Sequence, residues 1–155
     1  MLTCSVAQGG LITFLPVTMG EGSRALPIAL LATTAGSLLG RLAAGELADR
    51  FALAGRLLRV GVCLSMAGMA AELIAGAGSG HPAAIVAGAA AVGVGFGLVQ
   101  NDALLVLFAV AGPGRYGGAS AAWNIAYDAG TGLGATVLGA VAQPLGFGPA
   151  FLVSL

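Results

Sequence analysis

An all-α membrane bundle of about five transmembrane helices, with the start of a sixth, is the fold class this sequence predicts. Two observations predict it. The chain is 58% hydrophobic and only 8% charged, with mean hydropathy +0.99. A soluble domain needs about 25% charged residues to cover its surface, so lipid is the solvent that fits. The apolar residues also come in blocks close to the ~20 residues that a helix needs to cross a hydrocarbon core.

The blocks are, in order, Leu2 to Met19, Leu26 to Ala48, Leu57 to Gly76, Pro82 to Ala111, and Ala119 to Gln143. The first is short and interrupted by Gln8, Gly9 and Gly10, and the fourth is long enough to tilt. A sixth is expected from Pro149. The chain starts and stops in apolar sequence, and both ends are expected to be cuts through a longer protein. Residues 1–155 are expected to form a single transmembrane domain.

Short connections rich in turn formers separate the blocks: Gly20-Glu21-Gly22-Ser23-Arg24, Gly78-Ser79-Gly80-His81-Pro82 and Gly112-Pro113-Gly114. Such links force successive helices antiparallel. Arg50, Arg56 and Arg59 flank the second-to-third connection and Arg115 lies in the fourth-to-fifth, while Arg24 alone is opposite. The positive-inside rule therefore puts the Arg50 and Arg115 connections in the cytoplasm of a cell with a multi-pass inner membrane.

Several function classes drop out. All six basic residues are Arg, so the lysine of a Walker A loop is missing, and no basic cluster suits nucleic acid. Gly112 to Gly117 fits G-x-G-x-x-G, and Gly130 to Ala135 its alanine-ending form. Neither follows a strand, so no dinucleotide cofactor is expected. Hydrolase and zinc-peptidase motifs are absent, so the chain is expected not to be an enzyme and to hold no metal. His81 reads as a solvated loop residue. Cys4 and Cys63, both in apolar runs, read as small buried residues.

Glycine pairs spaced i, i+4, namely Gly36/Gly40, Gly93/Gly97 and Gly130/Gly134, mark faces on which helix backbones approach closely. They predict a tight bundle.

The stretch Gly45-Glu46-Leu47-Ala48-Asp49-Arg50, followed by Gly55-Arg56, resembles the cytoplasmic signature of the major facilitator superfamily, G-x-L-A-D-R-x-G-R. It occupies the corresponding connection, with four residues, Phe51 to Ala54, where the family has about one. A carboxylate such as Asp49 at a helix end can cap a neighbouring helix N-terminus, and an arginine such as Arg50 can bind carbonyls or another acid. The resemblance implies a latch between transporter halves built on Gly45, Asp49, Arg50 and Arg56; a plain positive-inside anchor is the other reading. Ala119 to Gly130, ASAAWNIAYDAG, resembles the eleventh helix of bacterial efflux-type members, and the fourth block lacks the arginine of a first half. The chain therefore resembles helices seven to eleven.

Charge inside a span costs about 2.5–3.5 kcal/mol on insertion scales, so polar residues there are the functional candidates. Asp128 lies about 16 Å into the fifth block, with Asn124 one turn before it. Trp123 and Tyr127 form an adjacent i, i+4 pair. These four residues read as the lining of a substrate or proton pathway, or as a packing cluster. Gln100-Asn101-Asp102 interrupts the fourth block and either extends that pathway or meets interfacial water. Arg41 is a partner for one of these acids, or turns its guanidinium toward the interface. Glu72, near the outer end of its block, is expected to reach water, and Glu21 and Arg24 to pair in a solvated loop.

What the resemblance implies is a small-solute transporter working by alternating access, by proton-coupled efflux. Its partners are then the lipid bilayer, a solute, protons and a missing N-terminal six-helix half. The alternative is a self-contained protein that pairs with a second copy through its glycine faces, as transporter or scaffold.

Overall fold

The computed structural model describes residues 4–6, 8–9, 25–77 and 81–145. Those residues are helical apart from short connections, with no strand among them. Residues 4–6 and 8–9 belong to the first predicted block (α1). Four long helices follow: α2 (Ala25–Phe51), α3 (Leu57–Ala77), α4 (Pro82–Ala111) and α5 (Tyr116–Leu145). Each is long and apolar enough to cross a membrane, and the protein is a multi-pass membrane bundle. The expected block Pro82 to Ala111 is reproduced to the residue. α5 begins three residues before its predicted start, because Arg115 accepts a bond from Ala119 and opens the helix. The expected sixth helix and the Glu21–Arg24 loop lie outside the described residues.

The outward faces carry large apolar side chains, among them Ile28, Leu31, Leu38, Leu39, Leu42, Met66, Ile74 and Ile125. Such a surface suits hydrocarbon, where the backbone is already satisfied within each helix. Thr33, Thr34, Thr131 and Thr136 satisfy their hydroxyls in the same way, each donating to the carbonyl four residues back.

α4 is the axis of the bundle, with α2 and α3 packed along it and α5 touching it more lightly. Glycine makes both main seams. On the α2 side, a Cβ at Gly36 would lie 2.7 Å from the Ala90 carbonyl, and one at Gly40 would strike the Val94 carbonyl. From the other direction, Gly93 meets the Thr33 backbone and Gly97 that of Ser37 and Arg41. The Gly36/Gly40 and Gly93/Gly97 pairs thus face one another, with the two helices running parallel. On the α3 side, Gly61 meets Gly95 and Gly68 meets Gly88, with the helices antiparallel. These four glycines are spaced by seven rather than four. Gly134 packs on the Val6 backbone and Gly9 on Thr131, joining α1 to α5.

Two small clusters complete the packing: Ala29, Met69, Ile85, Ala89 and Val92 toward one end, and Ala44, Leu57 and Leu98 toward the other. Two expectations need correction here. Cys63 is exposed on α3 rather than buried, since its side faces away from α4. Glu72 does not reach water: it is 6% exposed, with its side chain against Gly88 and both carboxylate oxygens unpartnered. The absent side chain at Gly88 leaves room for Glu72 to lie along α4, so the stem stays inside the seam.

Candidate functional site

The signature-like segment closes α2 and leads into α3. Gly45 faces α4, where the Asn101 amide nitrogen is the near neighbour, 3.8 Å from a Cβ placed there. Asp49 and Arg50 are both exposed, and Arg50 pairs with Glu46 one turn back on its own helix. Asp49 therefore does not cap α3. Asp102 does. Its side chain is fully buried, and its two oxygens accept hydrogen bonds from the Gly55 N–H at 2.6 Å and the Leu58 N–H at 2.8 Å. A carboxylate here meets the positive end of the α3 dipole and satisfies amides that the helix leaves without internal partners. Gly55 adopts φ +85°, a conformation that glycine enters without the Cβ penalty, and so presents its N–H to Asp102.

Of the two readings of Asp102, extension of the polar pathway or contact with interfacial water, the second does not fit a fully buried side chain. Its oxygens are committed to the start of α3, and the chain between α2 and α3 is tied to α4 through them. Arg56 is exposed beside this junction, and its N–H donates to the Leu53 carbonyl in a turn.

The polar–aromatic stripe divides along two faces of α5. Trp123 and Tyr127 turn toward α4, stacked on one another with ring centroids 5.7 Å apart and planes 3° from parallel. Tyr127 also meets Phe96 of α4 at 6.2 Å, and Phe108 meets Tyr116 at 5.2 Å. The register of those two contacts places Gln100 level with Trp123. Gln100 is buried with its Oε1 unpartnered, and the Trp123 Nε1–H is buried without an acceptor. The seam thus keeps one acceptor and one donor unused beside three aromatic rings.

Asn124 and Asp128 lie about 100° round α5 from Trp123 and Tyr127 and are exposed. Asn124 donates to the Ser120 carbonyl of its own helix at 2.9 Å, which leaves its own carbonyl oxygen outward. Gly117, Ala121, Asn124, Asp128 and Gly132 share this face at helical spacing, and all are exposed. No large apolar side chain lies among them. The face is small and polar in the middle of a span, which sets it apart from the Ile125 side that suits lipid.

Arg41 is exposed on α2 about 15 Å before the helix ends at Phe51. Among the described residues, it forms no ion pair. His81 precedes the first turn of α4 and is exposed. The described residues contain no group of three or more potential metal ligands.

Sequence reasoning missed Phe96, the Gly61/Gly68/Gly88/Gly95 seam and the cap made by Asp102. The seven-residue spacing of those glycines was a usable signal. Nothing local to Asp102 announces a helix start 44 residues away in the chain. No family model and no curated protein matches the chain.

Proposed function

We propose that this chain is most of the second half of a transporter of the major-facilitator type. It moves a small solute across the cytoplasmic membrane by alternating access, as a proton-coupled exporter. The observation that carries the reading is the outer face of α5. Asp128 and Asn124 stand exposed about 18 Å and 12 Å from the start of a membrane-spanning helix, and among the described residues no side chain of another helix pairs with them. A carboxylate turned into lipid at that depth is costly, so another protein surface or a water-filled cavity belongs against it.

A facing six-helix half, with a cavity at the joint, meets this requirement. Pairing of two identical chains across a two-fold axis meets it less well, because an isologous contact brings the same face of each copy together. Both Asp128 carboxyls would then be enclosed in one interface. The Arg50, Arg56 and Arg59 end would lie in the cytoplasm. The tie from Asp102 to the Gly55 turn supports treating the signature-like connection as a built unit that moves with α4.

In this reading Asp128 gains and loses a proton during the cycle. Asp128→Asn in the complete protein should abolish solute accumulation driven by a pH gradient while leaving solute exchange at equal pH partly intact. Transport is measured in proteoliposomes with and without the gradient, alongside membrane expression. Normal gradient-driven accumulation by the variant would overturn the reading.

A further inference from the structure

Five acidic groups and three arginines belong to α2–α5, and the structure commits several of them. Asp102 is held by the α3 N-terminus, and Glu46 by Arg50. Glu72 lies in the α3–α4 seam beside Gly88, on the other side of α4 and well toward the far end. Asp49 and Arg59 each lie two residues from a helix end, which leaves Arg41 and Asp128 deep within their spans. Both are exposed, and no ion pair joins them or engages either within the described residues.

They stand at one depth. The Arg41 backbone nitrogen lies 2.8 Å from the Cβ position of Gly97, and Tyr127, next to Asp128, has its ring against Phe96. Phe96 and Gly97 are neighbours on α4, so Arg41 and Asp128 are level to within about one helical step. Their distances from the shared end of the bundle agree, at about 15 Å along α2 and about 18 Å along α5.

They also turn the same way. Arg41 is one residue, about 100°, past Gly40, which faces α4. Asp128 is likewise one residue past Tyr127, which faces α4. α2 runs parallel to α4 and α5 antiparallel, so these rotations have opposite sense. Phe96 and Gly97 point to adjacent sectors around α4, and both charges therefore swing to the groove between α2 and α5.

We infer that Arg41 and Asp128 form a subsite for a zwitterion, with the Arg41 guanidinium taking its carboxylate and Asp128 its cationic nitrogen. This rests on the reading that the outer face of α5 borders a cavity. The physical reason is charge balance. A guanidinium binds a carboxylate with two parallel hydrogen bonds, and a carboxylate binds an ammonium. In a site of low dielectric, an anion alone leaves Asp128 uncompensated, and a cation alone leaves Arg41 so. A solute with both charges neutralises both groups, which form no ion pair with one another.

The test uses the full-length protein in nanodiscs and three tritiated probes, glycine, leucine and phenylalanine. Competitors are leucinamide, which keeps only the positive charge, and 4-methylpentanoate, which keeps only the negative. At least one amino acid should bind, and each single-charge analogue should compete at least tenfold less well than the zwitterion. Arg41→Gln and Asp128→Asn should each weaken binding at least tenfold while eluting as single species, and Arg41→Lys should retain part of it. Binding of none of the three amino acids, equal competition by the analogues, or unchanged binding by either variant overturns the subsite. A cysteine at Asn124, with Cys4 and Cys63 replaced by alanine, separates the two levels of the reading. If it labels alternately from both sides of the membrane but no zwitterion binds, only the subsite falls. If it labels from one side alone, the transporter reading falls and takes the subsite with it.

Discussion

α4 and α5 have the same length of 30 residues, yet they are held in opposite ways. Over half of the apolar span of α4 is buried, against 12% for α5. Around α4, glycines on three helices bring backbone against backbone, and in lipid such close packing replaces the hydrophobic drive that water would supply. α5 instead rests on α4 through rings, and turns Asn124 and Asp128 about 100° away from that contact. One helix is built to stay put and the other to present a surface. Close packing and an exposed polar surface thereby belong to different helices.

The largest expected effect breaks the α2–α4 seam. Gly93→Leu would drive a side chain into the Thr33 backbone, where neither partner can retreat. It should prevent a folded bundle, by at least ~3 kcal/mol on the scale of overpacking. Gly132→Leu, with open space around it on α5, should leave thermal stability in detergent unchanged. If both variants unfold alike, α5 is clamped as tightly as α4 and the contrast fails.

The next effect compares two aspartates. Asp102→Ala strips two half-buried N–H groups of a charged acceptor and should cost about 2 kcal/mol, read as a lowered denaturation midpoint. Asp128→Asn should leave that midpoint in place, because Asp128 is exposed and holds no other element of the described chain. A large loss of stability in Asp128→Asn would make it a packing residue.

Ala52 follows α2 at φ +51°, a region that non-glycine residues enter at a cost. Ala52→Gly should stabilise the α2–α3 corner by about 1 kcal/mol, visible as a higher midpoint with transport retained. The smallest effect belongs to the Glu46–Arg50 pair. It is exposed on both sides, so Glu46→Gln should move the midpoint by no more than ~0.5 kcal/mol. A larger shift would show that this end of α2 is buried against a surface outside the described chain.

Composition and block length were enough for the class of fold and for all four long helices, because the cost of a polar backbone in hydrocarbon permits only one local solution. The i, i+4 glycine pairs also announced close approach correctly. Sequence alone did not say that Gly36/Gly40 would meet Gly93/Gly97, or that a second seam of four glycines would close the other side of α4. Pairing of faces is settled by which helices are neighbours, and no local signal carries that. Asp102 illustrates the same limit: its position promised a polar residue near a helix end, but its partners come from the start of α3. The stripe on α5 looked like one constellation because Trp123, Asn124, Tyr127 and Asp128 are close in sequence. Neighbouring residues on a helix differ by about 100° in direction, and the location of α4 decided which two turn inward and which two remain for a partner.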